Sequence, residues 1–555
     1  MSRVDPEVAK AAPTVTLSDV VEKEGDSQSE DSRPGDATPE GSEEVLMDLF
    51  LYHEHNAGRL VVDPEEALIE FGEKVASRLK LSRDGTKVLW PQPRDDLEDP
   101  QNWSDARKNF QLFIITLAAV VPDFDSGIGI ASIFALAEQY DTTTGVINNL
   151  TSNWSIFLLG WGSLGAVMLM RRFGRLPVLF WSQVLALGFL IGCTFAPNLK
   201  TFTAMRCLTA FFGTCPQVTG LYVVTDMYPF HLQARKLNIW TMGFIISPFI
   251  SPFLFGFLVA RASWRWTYGI GSIYGAIVVL CITFFAEETM YDRALPNPRP
   301  IPRPTSRLRY RLETLIGITG ARMARYRTKW KDAILAVPSL VWRPQILGIL
   351  LFEAMLFGFS IGINTTNAVF LGTPPPVGYG FSQYAVAGAY GTPIVAVLIG
   401  ELLGRYFNDW VMNFCIRRNK GVFEAEMRLW TVYIAVPLYI CGFLVLGASF
   451  QKHLGVGALV MGWGIAEVAV MICTVAVYAY CNDCFPTRQG EISAMINLVR
   501  TLGGFSVAYF QVPWATKNGA LQTFGVEAAI VAALFLLIVP MLQWKGASFR
   551  QKYSL

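Results

Sequence analysis

Long apolar runs in this sequence are interrupted by a few charged side chains: Asp123, Asp125, Arg206, Glu353, Glu401, Glu467 and Glu527. A charged group at the centre of a bilayer helix costs at least about 2.5 kcal/mol, so such groups persist where they carry protons or hold ligands. Buried carboxylates suit proton uptake and release, because burial favours the neutral form and a nearby arginine the charged one. Acids outnumber bases in these runs, which favours a cation or protons as the species handled. No residue set for other chemistry accompanies them. His53, His55, His231 and His453 fall in a polar tail or in short loops, with no relay or catalytic triad. Cys481 and Cys484 form a lone C-x-x-C at a helix end, without the further ligands zinc requires. No G-x-x-x-x-G-K-[ST] phosphate cradle occurs, which argues against direct use of ATP. The expectation is therefore no enzyme, no cofactor and no metal.

The elements that must place these residues follow from composition. Of 555 residues, 52% are apolar and 16% charged, and mean hydropathy is +0.36. Soluble domains carry roughly a quarter charged residues, so one soluble core is excluded. From residue 110 onward, apolar runs of about 20 residues recur, the length that crosses roughly 30 Å of hydrocarbon. Predicted spans lie near 110–137, 149–170, 177–196, 201–225, 236–260 and 266–286, then near 345–371, 383–404, 429–450, 456–480, 490–512 and 522–543. The chain reads as an all-α membrane protein with twelve transmembrane helices in two six-helix bundles, 109–290 and 345–544. A basic linker, 291–344, joins them, and a short tail, 545–555, ends the chain. Residues 1–108 read as a largely disordered acidic tail, since "LSDVVEKEGDSQSEDSRPGDATPEGSEE" has little to bury and no signal-peptide pattern. One helix is predicted in it, "DPEEALIEFGEKVASRL", with Asp63 as N-cap, Pro64 at the first position and Glu66 for a return bond.

Charge orients the spans. Alternate gaps hold "MRRFGRLP", "HLQARK", "IRRNKG" and "PTRQ"; the linker holds "RPTSRLRYRLE" and "ARMARYRTKWK", and the C-terminus Lys545, Arg550 and Lys552. The other gaps, such as "EQYDTTTGVINN", "APNLK" and "TPPPVGYGFSQY", are nearly free of Lys and Arg. Basic loops stay cytoplasmic, so both termini and the linker are expected there. Asn149 in "NLT" then falls outside, near the bilayer, as a candidate glycosylation acceptor. Counting along the helices, Asp125 lies about 22 Å in from the cytoplasmic side and Arg206 about 7 Å in from the outer side. Their depths nearly meet, so an ion pair across a cavity is expected.

The turn "MRRFGRLPV" resembles the G-x-x-x-D-R-x-G-R-R signature of the major facilitator superfamily. Gly174 and Arg175 match its second glycine and the arginine after it; Arg171, next to Arg172, stands at the acidic position and Leu176 at the final arginine. In that family the acidic residue caps a neighbouring helix and latches the outward-facing state, so this chain is expected to latch otherwise or more weakly. "DPQNW", "RCLTAFFGT" with Arg206, "DMYPFHLQARKLNIW" with Asp226, Pro229 and Arg235, "WRWTY" and "EETMYDR" resemble the fungal drug:proton antiporter branch with twelve helices. In the second half, "GELLGRYFNDW", with Glu401, Arg405 and Asp409, echoes the first turn, and "CFPTRQGEISAMINLVRTLGGF" mirrors "MYPFHLQARKLNIWTMGF". Such repeats fit halves related by an axis along the membrane normal. The fifth-helix exporter motif G-x-x-x-G-P-x-x-G-G reads "GFIISPFISPFLFG": Gly243 and Pro248 match, Ser247 and Ser251 replace glycines, and Pro252 adds a second bend.

The resemblance, over about residues 95 to 545, implies the major facilitator fold with helices 1, 4, 7 and 10 lining a cavity. It assigns Asp123, Asp125, Arg206, Gln217, Glu353, Asn364, Glu467 and Tyr478 to a substrate and proton cavity, with Thr365, Asn367 and Tyr480 nearby. Arg171, Arg172, Gly174, Arg175, Asp226, Arg235, Glu401, Arg405 and Asp409 fall on gating turns, and Glu527 on a helix outside the cavity. The implied activity is proton-coupled efflux of a drug, toxin or secondary metabolite by alternating access. Proton-coupled import of a small cationic solute such as a polyamine is the alternative, kept open by the altered fifth-helix motif. A non-transporting receptor would carry a long extension after the last helix, where about a dozen residues follow here. Expected partners are a small-molecule substrate, protons and the lipid bilayer, not nucleic acid, with the chain a monomer in the plasma membrane.

Overall fold

The computed structural model describes residues 61–553 apart from 62, 294–303, 305, 376–377, 419–423 and 486–487; the disorder expected for 1–60 lies outside the described residues. Among the described residues, eleven helices are long and apolar enough to cross a membrane. They are α1 (Asp105–Ala131), α2 (Thr144–Phe173), α3 (Arg175–Thr194), α4 (Leu199–Met227), α5 (Phe230–Val259) and α6 (Arg265–Phe285) in the first half. The second half has α7 (Pro344–Gly372), α8 (Gln383–Gly404), α9 (Ala425–Lys452), α10 (Val456–Cys484) and α12 (Ala520–Arg550). The remaining long helix, α11 (Gln489–Asn518), completes the second set of six. It is more polar than its neighbours because it carries Glu491, Asn497, Arg500 and Gln511, all buried.

The internal echo in the sequence reappears as packing. In the first half α1 packs on α5, α2 on α4, and α3 on both α4 and α6. The second half repeats this as α7 on α11, α8 on α10, and α9 on both α10 and α12. The two halves meet through α2 against α11 and α5 against α8, contacts exchanged by the same two-fold relation. Lipid cannot drive helices together by hydrophobicity, so close backbone approach through small residues does much of that work. The α7–α11 crossing shows it: a Cβ on Gly503 would sit 2.1 Å from the Ala354 carbonyl oxygen, and one on Gly358 2.7 Å from the Gly503 backbone.

Local sequence sets where the helices start and break. The Asn198 side chain caps α4 through the Thr201 amide at 2.8 Å. α1 ends at Ala131, and a short helix, Ile133–Gln139, continues its predicted span. α2 contains a π-helical turn at Asn148–Asn153, and α4 is interrupted at Thr214, just before Pro216. α5 runs through Pro248 and Pro252 as one continuous helix.

Three stretches are more ordered than the sequence suggests. Asp63 caps the helix Pro64–Phe71 as expected. Beyond it, however, Val61, Phe71, Val88 and Trp90 bury one another against Phe230 at the start of α5, and the Phe230 amide donates to the Trp90 carbonyl at 2.8 Å. Asp99 of "DPQNW", 0% exposed, accepts from the Arg94 and Gln101 amides and pairs with Arg293 beyond α6. The linker forms short helices, among them Arg307–Ile316. The C-terminal tail is helical to Lys552, and Arg550 pairs with Glu426 at 2.7 Å.

Candidate functional site

Between the halves lies a cavity of about 80 Å³, walled by α1 and α5 on one side and α7, α10 and α11 on the other. Asp123 and Glu467 reach it from opposite halves, with Arg500, Asn497 and Asn364 between apolar walls of Phe244, Phe249 and Phe357. Each acid is held by a neutral donor. Gln217 Nε2 donates to Asp123 Oδ2 at 2.6 Å, and Ser360 Oγ to Glu467 Oε1 at 2.9 Å. Asn497 of α11 donates to Thr214 Oγ1 at 3.1 Å and Gln217 Oε1 at 3.4 Å, which ties Asp123 to the second half.

Arg500 is the cavity's cation. Its guanidinium lies 3.3 Å from the Phe357 ring centroid, and Nη1 donates to the Tyr478 hydroxyl at 3.4 Å. Its Nε is 4.0 Å from Glu353 Oε1, an oxygen that also accepts Thr474 Oγ1 at 3.0 Å. Two charges 4 Å apart attract by about 4 kcal/mol at an effective dielectric of about 20. Desolvation costs several kcal/mol per buried ion, so such a pair is held with little net gain.

At the end of the bundle that carries the basic loops, the cavity is closed by cross-half bonds. Arg171 Nη1 of α2 is 2.6 Å from Glu491 Oε1 in the first turn of α11. The Tyr222 hydroxyl of α4 donates to Glu491 Oε2 at 3.2 Å, and Ser493 Oγ to the Gln217 carbonyl at 3.4 Å. Arg175 stacks on Tyr222 and pairs with Asp226 at 3.2 Å. Gly174 turns the chain with φ +104, and Glu288 accepts the amides of Arg175 and Leu176 at 3.0 and 3.1 Å. Burial pushes the Glu288 carboxyl above its ordinary range, opposed by the Met290 and Arg175 amides and by the Arg175 and Arg327 guanidinium groups. The opposite end is closed by Gln383 Nε2 donating to the Ala131 carbonyl and by Arg261 Nε donating to the Tyr384 hydroxyl.

Residues 114–508 match the family model described as Major Facilitator Superfamily. The chain belongs to that superfamily. Among curated relatives of this major facilitator protein, "Efflux pump radE" of Floropilus chiversii is 22% identical, covering 89% of this chain and 90% of that one. "MFS-type transporter hepF" of Aspergillus oryzae is 25% identical, over 82% and 92% of the two chains. The solved xylose transporter XylE from E. coli, in a partially occluded inward-open conformation, superposes with a TM-score of 0.53 at 13% identity, over 79% of this chain and 99% of that one. The fold is thus that of a multi-pass transporter with twelve helices.

Of the residues assigned to the cavity from sequence, Asp123, Asn364 and Glu467 line it, and Gln217 bonds one of them. Glu353 stands behind Arg500, and Tyr478 borders a second space of about 80 Å³ nearer the basic end. The expected Asp125–Arg206 pair across the cavity does not form. Arg206 Nη2 donates to the Ser126 carbonyl at 2.9 Å and faces Tyr268, and both Asp125 and Arg206 are buried inside the first half. Arg172 is not in the closure: it donates to the Thr328 carbonyl and lies over Trp330, anchoring the linker. Arg235 is exposed at the start of α5. Glu401 is buried in α8, whereas the side chains of Thr365, Arg405 and Asp409 lie outside the described residues. Gly243 lets α5 meet α1, since a Cβ there would lie 2.7 Å from Thr116 Cγ2. Asn149 sits in the π-helical turn, its side chain bonded to Asn153, and its sequon Thr151 is buried, so that sequon is not on a loop.

Sequence reasoning passed over Arg500, Asn497, Glu491 and Glu288. Arg500 had a signal: it is a basic residue inside an apolar span, as costly there as the acids that were counted. Glu491 had none, because its partners, Arg171 and Tyr222, lie in the other half of the chain.

Proposed function

We propose that this chain is a proton-coupled exporter of small organic molecules, working by alternating access. The observation that carries the reading is a cavity between two repeat-related halves, holding Asp123 from one, Glu467 and Arg500 from the other, and aromatic walls between them. The walls suit a largely apolar solute with one polar or cationic group. The acids suit exchange of a proton for that group, since Asp123 and Glu467 accept from the neutral donors Gln217 and Ser360, and neither acid is in direct ion-pair contact with Arg500 among the described residues. The end held by Arg171 and Glu491 is the cytoplasmic one on the distribution of Lys and Arg. Opening it requires parting Arg171 from Glu491, while the opposite end requires parting α5 from the start of α8. The naming of a relative as an efflux pump favours export. Import of a small cation is the second reading, favoured by two acids facing one arginine in the cavity.

The test is dye efflux from yeast cells that lack their own drug pumps, loaded with a rhodamine dye. Cells producing the protein should hold less dye than control cells. Asp123→Asn and Glu467→Gln should reach the membrane and lose that difference. Equal retention of cationic, neutral and anionic dyes would remove the export reading, and extra polyamine uptake in the same cells would replace it with import.

A further inference from the structure

Inside the second half, away from the central cavity, α12 carries a carboxylate that the transport reading leaves unused. Glu527 is 0% exposed. Both its oxygens accept from one donor, Gln511 Nε2 of α11, at 3.1 Å and 2.9 Å. The other end of that amide, Gln511 Oε1, accepts the Thr366 hydroxyl of α7 at 2.7 Å. Gln511 and Thr366 are buried as well. The titratable group within electrostatic reach on α9 is Tyr439, which also feels Glu467 of α10. Lys517 of α11 is exposed about 9 Å further along its helix. Among the described residues no Lys, Arg or His pairs with Glu527; its charged form is met by Gln511 alone.

We propose that Glu527 is a proton-binding site separate from the substrate cavity, and that the Gln511 amide carries its protonation state to α7. The charged carboxylate only accepts hydrogen bonds, so it takes the amide NH2 and leaves the amide oxygen to the Thr366 hydroxyl. A protonated carboxyl donates, and the acceptor on Gln511 is Oε1. For the carboxyl O–H to be met by Gln511 the amide turns over, and Thr366 then loses its acceptor and meets an N–H instead. Proton binding at Glu527 is thereby set against the present Thr366 bond. Thr366 lies two positions along α7 from Asn364, which lines the central cavity, so one rigid helix links the two sites. Glu527 is about 10 Å along α12 from its first residue, so water at that end is the proton's source and sink. One proton is taken up and one released; no other bond changes.

This inference rests on the proton-coupled reading, and two measurements separate their fates. Infrared difference spectra of the reconstituted wild type, between about pH 5 and about pH 9, should show a carboxylic-acid carbonyl band that fades as pH rises. Glu527→Gln should lack the part of that band due to Glu527, leaving the part due to acids such as Asp123 and Glu467, and Thr366→Val should shift the frequency of the Glu527 part. Identical spectra for wild type and Glu527→Gln would overturn the proposal, whatever the protein transports. In proteoliposomes, Glu527→Gln should exchange rhodamine dye at equal pH as wild type does, while accumulation under a pH gradient falls to a ratio of about one, the value without coupling. Gradient-driven accumulation that survives in Glu527→Gln would also overturn it. A wild type that accumulates nothing would sink the transport reading and leave the infrared comparison to decide this site. If Glu527→Gln does not reach the membrane, Gln511→Leu is the substitute. It removes the donor to the charged form, so the band should fade about one pH unit higher, a tenfold change, and an unmoved midpoint would refute the role given to the amide.

Discussion

Reversing Arg171 should open the basic end of the molecule, and reversing Glu491 as well should close it again. The Arg171 side chain is 18% exposed and that of Glu491 1%, so this is a buried pair at 2.6 Å. Removing one partner of a buried pair costs about 3–5 kcal/mol, because the other charge is left without compensation. Here Glu491 keeps the Tyr222 hydroxyl at 3.2 Å and Arg488 at 3.9 Å, so Arg171→Ala should cost less, about 2 kcal/mol. That is about a thirtyfold shift in the ratio of open to closed states. Arg171→Glu adds repulsion and should exceed a hundredfold, on the order of 3 kcal/mol. The double reversal Arg171→Glu with Glu491→Arg restores attraction between α2 and α11. It also sets the new arginine beside Arg488, so recovery should stop within about fivefold of wild type, near 1 kcal/mol. Spin labels at Leu169 on α2 and Trp430 on α9, exposed side chains near the basic end of each half, report the separation directly. The reasoning fails if the double reversal is as open as the sum of its single reversals, since the pair would then contribute no coupling.

Gly174→Ala should reach the membrane but transport poorly, because φ is +104 and a Cβ would lie 2.5 Å from Glu288 Oε2; dye efflux normalised to surface protein measures it. Arg500→Leu should lower stability by about 3–5 kcal/mol by stranding Glu353, and Arg500→Leu with Glu353→Leu should recover most of that loss in detergent thermal melts. Glu288 gives a pH dependence with a definite sign. Its folded pKa is raised above 4.5, so the folded state binds more protons than the unfolded state and stability falls as pH climbs upward from about 4.5. Glu288→Gln should flatten that part of the curve, and melts of both proteins at stepped pH would show an unchanged slope if burial at Glu288 is not its source.

The spans, their number and the repeat were legible because twenty-residue apolar runs have few alternatives and because two turns echo each other. What failed was azimuth. Depth arithmetic brought Asp125 and Arg206 to one height, but residues two apart on a helix differ by about 200°. Asp123 and Asp125 therefore cannot both face the cavity, and the structure gives it to Asp123. Arg171 read as a missing acid; its meaning depends on Glu491, more than half the chain away, and no local pattern reports that. The order of residues 63–104 was hidden for a similar reason. Its apolar residues are too few for a core of their own and find one only by closing on Phe230 of α5. The linker helix Arg307–Ile316 was masked by its arginines, one of which, Arg311, donates to carbonyls at the end of α6.

Proton-driven movement of solute is the central claim, and everted membrane vesicles test it most directly. Vesicles containing the protein, acid inside, are given a rhodamine dye at equal concentration on both sides, and internal dye is followed as a protonophore collapses the gradient. The account predicts dye rising inside above its starting level, falling back on collapse, and no rise in Asp123→Asn vesicles. Dye that only equilibrates, or that accumulates equally after collapse, would contradict proton-coupled export.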